Sequence, residues 1–302
     1  MWQRIKDTVK PVVFNTPFLL DLYLQRKFRV ERELLEGIRA PKSDRSSVIH
    51  FSMNKAATQY TKDILVQCAQ ENGMTPAHFN EYAFYTQLPY LTGLSRDEMK
   101  DYRHIFQPHG YLYTAFGGFV QGIENLEDYR VVLMVRDPRD VLVSWYYSLA
   151  YSHSIPPASS SRHQEYLRKR KEARKMTVDE HVLSKSDRML TIYNNYLEGL
   201  LGHHQDPFMT SYEQMTADFP AWLERLLTYC GFEIRERDFQ QLVERHQALQ
   251  PDQEDKQEHI RKGKPGDYLD KLQPETIAQL NEKYSLILEE FEPVLRKDRK
   301  AS

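Results

Sequence analysis

The sequence predicts an α/β fold: a mostly parallel sheet flanked by helices on both faces. Short apolar runs rich in β-branched residues, such as VVLMV at 131–135, alternate with longer stretches of helical periodicity. That alternation marks strands of a buried sheet joined by crossover helices. Two of the runs also pass within a few residues into a helix start, as a parallel strand must when it hands over to its crossover. Strands are expected at 47–52, 75–82, 110–116, 130–135 and 207–211. Helices are expected at 58–72, 138–150, 176–201, 216–230, 236–247 and 274–290. A length of 302 residues is ample for one such domain. The expected organisation is a helical extension at 1–45, the α/β domain at 46–294 and a tail at 295–302.

The most informative segment is 129–148, YRVVLMVRDPRDVLVSWYYS. A buried strand ends at Val135, a turn follows at Asp137-Pro138, and a helix begins at once, with Pro at a first position that needs no N–H. Arg136 sits at the strand's carboxyl end, and Ser144 follows about two turns into the helix. Ligands of open parallel sheets bind beyond the carboxyl ends of the strands, so an Arg and a Ser placed there make an anion site.

Upstream, VIHFSMNKAATQYTKDIL at 48–65 repeats the pattern. Val48–Phe51 reads as a short strand and Ala56, Ala57, Thr58 and Tyr60 onward as the start of a helix, with Lys55 in the turn between them. Free N–H groups at a helix start, the helix dipole and a Lys together make a phosphate cradle. The Gly-Lys-Ser/Thr of a nucleoside triphosphatase loop is absent.

Taken together, the two segments resemble the cofactor motifs of sulfotransferases that use 3′-phosphoadenosine 5′-phosphosulfate (PAPS). The family's loop usually reads Pro-Lys-Ser-Gly-Thr-Thr-Trp; here Asn54-Lys55-Ala56-Ala57-Thr58-Gln59-Tyr60 fills that frame. The family's Arg followed eight residues later by Ser matches Arg136 and Ser144. Thr210-Ser211-Tyr212-Glu213 is similar to the strand end that carries a nucleotide-contacting Tyr. Arg261-Lys262-Gly263, followed by Gly266-Asp267-Tyr268, is similar to the C-terminal Arg-Lys-Gly loop and its Gly-Asp-Trp. The resemblance covers roughly residues 46–292 and implies a three-layer sandwich like that of the P-loop nucleoside triphosphatases. It implies in-line transfer of a sulfuryl group from PAPS to an acceptor hydroxyl or amine, releasing 3′-phosphoadenosine 5′-phosphate (PAP). Lys55 would be catalytic, neutralising charge on the leaving 5′-phosphate. Ala56, Ala57, Thr58 and Gln59 would hold that phosphate, Tyr60 would stack on adenine, and Tyr212 would contact the nucleotide. Arg136, Ser144, Arg261, Lys262 and Gly263 would take the 3′-phosphate.

A base must accept the acceptor's proton. The family's Lys-Thr-His is missing: Gly110–Phe116 has no His in register. His109, just before the 110–116 strand, is the first candidate, Glu81 the second and His104 the third. No metal is expected, since no cluster has metal-ligand spacing and the transferred group carries less charge than a phosphate.

Composition narrows the classes. Forty-one Lys and Arg against 43 Asp and Glu give a net charge of −2, so nothing global favours nucleic acid. Mean hydropathy is −0.67, with no apolar run long enough to span a bilayer. The start, MWQRIKDTVK, lacks a secretory apolar stretch. Two cysteines, Cys68 and Cys230, read as buried free thiols of a reducing compartment, hence the cytoplasm. The extension carries Phe18, Leu19, Leu22 and Tyr23 beside Arg26, Lys27 and Arg29. It would pack on the domain or a partner, or touch a membrane surface. The Ser/Pro-rich stretch 152–161 reads as a loop followed by a basic helix, and the family resemblance implies that 152–175 helps shape the pocket of the acceptor, expected to be a small molecule, glycan or lipid. A nucleotide kinase and a non-catalytic nucleotide-binding protein of the same fold remain alternatives.

Overall fold

In the computed structural model, residues 16–152, 155–156, 163–204, 206–249 and 264–295 are described. Five parallel strands form one sheet in the order β2-β3-β1-β4-β5. They are β1 (Val48–Ser52), β2 (Thr75–Ala77), β3 (Tyr111–Phe116), β4 (Arg130–Val135) and β5 (Phe208–Ser211). The helices in chain order are α1 (Pro17–Lys27), α2 (Arg29–Leu35), α3 (Thr58–Glu71), α4 (Phe79–Tyr85) and α5 (Pro138–Tyr147). Then follow α6 (His163–Ala173), α7 (Val178–Asn195), α8 (Tyr212–Ala217), α9 (Phe219–Cys230), α10 (Glu236–Ala248) and α11 (Tyr268–Lys271). The last three are α12 (Pro274–Lys283), α13 (Ser285–Glu290) and α14 (Glu292–Leu295). Every residue of β1 and β3 is buried, so both faces of the sheet are covered.

Local chemistry sets the helix starts that matter to the site. Pro138 opens α5, and the Asp137 carboxylate accepts the Arg139 N–H at 2.9 Å, capping the first turn. Thr177 and Glu180 cap α7 reciprocally: the Thr hydroxyl takes the Glu180 N–H and the Glu carboxylate takes the Thr177 N–H. Asp218 caps α9, and Gly231, at φ +66°, closes it. Single-turn π segments at 148–152 and 196–201 extend α5 and α7.

Three expectations need correction. The strand expected at 75–82 stops at Ala77, because the His78 N–H donates to the buried carboxylate of Glu31 rather than to a neighbouring strand. Phe79–Tyr85 is then free to coil into α4. The helix expected at 216–230 is two helices, since Asp218 leaves helical geometry to cap the next one. The long 274–290 helix breaks at Tyr284, whose fully buried ring donates its hydroxyl to the Ser186 carbonyl at 2.9 Å. The basic stretch after 161 does form a helix, α6, while most of 152–161 lies outside the described residues.

Candidate active site

The site lies at the carboxyl edge of the sheet, where the loops after β1 and β4 meet. The loop after β1 is held from within. The Met53 N–H donates to the Met134 carbonyl at 2.8 Å, and the Met53 carbonyl accepts from the Ala56 N–H at 3.0 Å and from Thr58 Oγ1 at 2.9 Å. Ser52 Oγ adds a bond to Thr58 Oγ1 at 3.0 Å. These bonds correct two expectations. The Ala56 amide and the Thr58 hydroxyl proton are spent inside the loop, so neither is left to hold a ligand. The amides at the start of α3, those of Thr58, Gln59 and Tyr60, have no intrahelical acceptor and are the ones that can.

The tight loop places Lys55 at φ +73° and Ala57 at φ +57°. The left-handed region costs a residue with a Cβ roughly 1–2 kcal/mol. Ala57→Gly removes that strain and loosens the unfolded chain, two effects of similar size and opposite sign. It should match the parent in urea denaturation to within about 1 kcal/mol, whereas the β-branched Ala57→Val should lose more than that.

Arg136 is the centre of the site. Only 8% of it is exposed, and its Nη1 donates to the Lys55 carbonyl at 3.0 Å, tying the β4 loop to the β1 loop. Nη2 reaches Asp140 Oδ2 at 3.4 Å, and the guanidinium lies over the Tyr212 ring, 4.3 Å from its centroid. The Tyr193 hydroxyl donates to the Arg136 carbonyl from α7. The fully buried Asp140 also accepts the Gly266 N–H at 2.7 Å and the Tyr268 N–H at 3.0 Å, so one carboxylate joins Arg136 to the start of α11. Glu213 Oε1 accepts the Asp137 N–H at 3.2 Å, and burial pushes the Glu213 carboxyl up to about 7.

The balance of charge is the chemical point. Burial, and then Arg136, push the Lys55 ammonium down to about 8. Among the described residues, Arg136 Nε is buried without a hydrogen-bond acceptor. Two cations thus meet at one edge of the sheet beside unspent helix amides, with the Asp140 carboxylate paired to one of them, and an anionic ligand would suit the Lys55 ammonium, the free Arg136 N–H and the amides.

The family model described as a sulfotransferase domain matches residues 45–292. The chain belongs to the sulfotransferase family. Among solved structures, this sulfotransferase is similar to mouse sulfotransferase SULT7A1 complexed with PAP, at 12% identity over 87% of this chain and 90% of that one, TM-score 0.46. It is also similar to retinol dehydratase in complex with androsterone and the inactive cofactor PAP, at 17% identity over 88% and 85%, TM-score 0.45. Sulfotransferase STF9 from Mycobacterium avium matches at 12% identity over 92% and 86%, TM-score 0.49. Comparison with curated proteins gave no match.

Within this sulfotransferase the remaining candidates divide. Gln59 is exposed at the first turn of α3. Tyr60 does not stand free: its ring packs 6.0 Å from Phe219 and 5.6 Å from His246, and its hydroxyl lies 3.2 Å from His246 Nδ1. The His246 imidazole in turn lies flat on Phe219, with centroids 3.9 Å apart. Ser144 is half-buried in the second turn of α5. Arg261, Lys262 and Gly263 lie outside the described residues.

His109 is not at the site. It is exposed and pairs with Ser46 before β3 begins, and β3 runs parallel to β1. A six-residue strand spans roughly 20 Å, which puts His109 at the opposite edge of the sheet from Lys55. His104 is also removed, its Nε2 bonding to the Leu35 carbonyl at 3.0 Å. Glu81 is on the right side. It stands in the first turn of α4, where the neighbouring Asn80 donates to the Ala115 carbonyl at 2.8 Å, near the end of β3. Its carboxylate pairs with Lys27 and, at 3.3 Å, with Lys62, one turn beyond the α3 cradle. Burial alone would raise the Glu81 pKa, but the two lysines outweigh it and hold the group below the usual range. Burial, and then Lys62, push His78 down to about 4 and His50 down to about 3.

Sequence reasoning missed Asp140, Glu213 and Tyr193. Asp140 had a signal, since a carboxylate in the first turn of the helix that follows Arg136 lies close to the strand end. Tyr193 had none, because only the packing of α7 against α5 brings it to Arg136.

Among the described residues, no helix is long and apolar enough to cross a membrane and no group of His, Cys, Asp or Glu is placed to hold a metal ion.

Proposed function

We infer that this sulfotransferase moves a sulfuryl group from PAPS to an acceptor hydroxyl or amine and releases PAP. The observation that carries the reading is the junction of Lys55 and Arg136 on one edge, where Arg136 keeps one buried N–H, that of Nε, without an acceptor among the described residues. PAPS is a nucleotide with a phosphate at each end of its ribose, and the pair suits its two anionic ends. PAP in the similar mouse sulfotransferase and retinol dehydratase structures agrees with this choice of nucleotide.

In this reading Lys55 neutralises charge growing on the leaving 5′-phosphate, aided by the N–H groups of Thr58, Gln59 and Tyr60. Arg136 takes the 3′-phosphate with Ser144 and residues Arg261, Lys262 and Gly263, and the Tyr212 ring lies under its guanidinium. Tyr60 offers an aromatic edge to adenine, with His246 and Phe219 behind it. Transfer of this kind passes through a loose transition state, so the protein's work is positioning and charge neutralisation. In such a state the acceptor proton leaves late, and a weakly basic carboxylate suffices. Glu81 is that base. The two free, buried thiols, Cys68 and Cys230, suit a reducing compartment such as the cytoplasm.

Calorimetry with PAP and with ATP tests the donor. PAP should bind at least tenfold more tightly, because only PAP carries the 3′-phosphate that Arg136 would take; tighter binding of ATP would overturn the assignment. Glu81→Gln tests the base. It should lower kcat by about 10²-fold while PAP affinity stays at the parent value; an unchanged kcat would remove Glu81 from the mechanism.

A further inference from the structure

The family match begins at residue 45, yet two helices that precede it reach the candidate base. Lys27, the last residue of α1, pairs with one oxygen of Glu81, and Lys62 of α3 donates to the other at 3.3 Å. Four residues after Lys27, the buried Glu31 carboxylate of α2 accepts the His78 N–H just before α4. Phe28, between them, is fully buried with its ring 5.1 Å from that of Tyr82 on α4. An ion pair, a backbone hydrogen bond and a ring contact therefore fix α1 and α2 against the helix that carries Glu81.

Lys27 is set differently from a surface ion pair, whose partners both stay in water and gain little from each other. Its side chain is only 28% exposed, and Nζ lies 4.9 Å from the centroid of the Phe28 ring and 5.1 Å from that of Tyr85. One ammonium on each oxygen fixes the plane of the Glu81 carboxylate and still leaves each oxygen a lone pair for an acceptor O–H. A reacting group needs such support, because a displacement of about 1 Å can cost 10²-fold in rate. We propose that Lys27 is a positioning residue for sulfuryl transfer, brought to the site by a helix outside the matched domain through its pair with Glu81. The inference rests on the reading of Glu81 as the base. In the step it serves, the acceptor oxygen bonds to sulfur while the bond from sulfur to the 5′-phosphate oxygen breaks. The acceptor's proton passes to Glu81, and PAP leaves with the electron pair of the broken bond. Lys27 keeps its own protons throughout.

The test is Lys27→Met in the full-length chain, which keeps an unbranched apolar stem among the rings and removes the charge. The charged and titratable groups around Glu81 are Lys27 and Tyr23 on α1, Glu31 on α2, Lys62 on α3, and His78 and Tyr85 beside or within α4. Carbon-13 NMR of protein labelled at glutamate Cδ follows the Glu81 carboxyl, with Glu81→Gln to assign its signal. Its midpoint should rise by about 1 pH unit or more, since burial is then opposed by Lys62 without Lys27. Turnover of labelled PAPS is read with 2-phenylethanol as the acceptor probe and with water as a second. In Lys27→Met, kcat at pH 7 should fall on the order of tenfold and the acid limb of its pH profile should move upward. KM for PAPS and PAP affinity should stay at the parent values, and Lys27→Arg should restore both kcat and the profile. An unmoved Glu81 midpoint in Lys27→Met would overturn the proposal, as would a parental kcat and pH profile in Lys27→Met when Glu81→Gln is impaired. A loss of PAP affinity as large as the loss of kcat would overturn it too, by making Lys27 a support of the whole fold. Parental turnover by Glu81→Gln would instead remove the base itself, and the duty of Lys27 with it.

Discussion

Lys55→Ala should cut sulfuryl transfer by roughly 10²–10³-fold, the usual cost of removing one preorganised charge-stabilising donor from a buried site. The same change should leave the fold at least as stable as the parent. In the ligand-free protein the Lys55 ammonium is desolvated and sits beside Arg136, and both effects push it down to about 8. A lysine whose folded pKa lies below its unfolded value costs stability in its charged form, so removing it relieves the fold at pH 7. Loss of activity with retained stability is the signature of a residue kept for chemistry rather than for packing. Urea denaturation and an assay with labelled PAPS measure the two halves separately.

The sign of the pH dependence follows from the same geometry. A bound polyanion favours charged Lys55 and restores its pKa, so binding above about pH 8 must take up a proton. PAP affinity should therefore fall as pH rises above 8, by up to about tenfold per pH unit. Lys55→Arg should flatten the profile, since a guanidinium stays charged throughout. Transfer at the parent rate by Lys55→Ala would end the role given to Lys55, whatever its stability.

Much of this site could be read from the sequence because its anchors are local. Lys55 and Arg136 each follow directly from a strand into a helix start, and parallel strands place such residues on one edge without further information. The position of His109 was legible too: a residue that precedes its strand must lie at the other edge. The rest was not legible, because it depends on contacts between distant segments. The Ala56 amide and the Thr58 hydroxyl become unavailable only when the loop folds back on Met53. Glu81 acquires its two lysines only when α1 and α3 meet α4. Tyr60 keeps its aromatic character from the family pattern, but its neighbours Phe219 and His246 come from α9 and α10. Only the assembled fold decides how much of a local motif stays available to a ligand.

Asp140→Ala should be among the most damaging single changes in the domain, costing about 3–5 kcal/mol in urea denaturation. Asp140 is fully buried and is the carboxylate directly bonded to Arg136. Removing it strands a buried guanidinium and two backbone N–H groups, those of Gly266 and Tyr268. PAP affinity should fall with it, because Arg136 loses its orientation and α11 its tether. Asp140→Asn keeps an acceptor for one of the two N–H groups and should cost less. A second substitution separates the two duties of the carboxylate. Replacing both members of a buried ion pair by apolar groups is far cheaper than breaking it. Arg136→Met/Asp140→Leu should therefore recover much of the loss seen in Asp140→Ala, and the shortfall measures what Asp140 contributes by holding residues 266–268. If Asp140→Ala stays within about 0.5 kcal/mol of the parent, as an ordinary surface change does, the carboxylate does not join Arg136 to α11 in the way described. Full recovery in the double variant would instead show that the ion pair, and not the tether, is the reason for its burial.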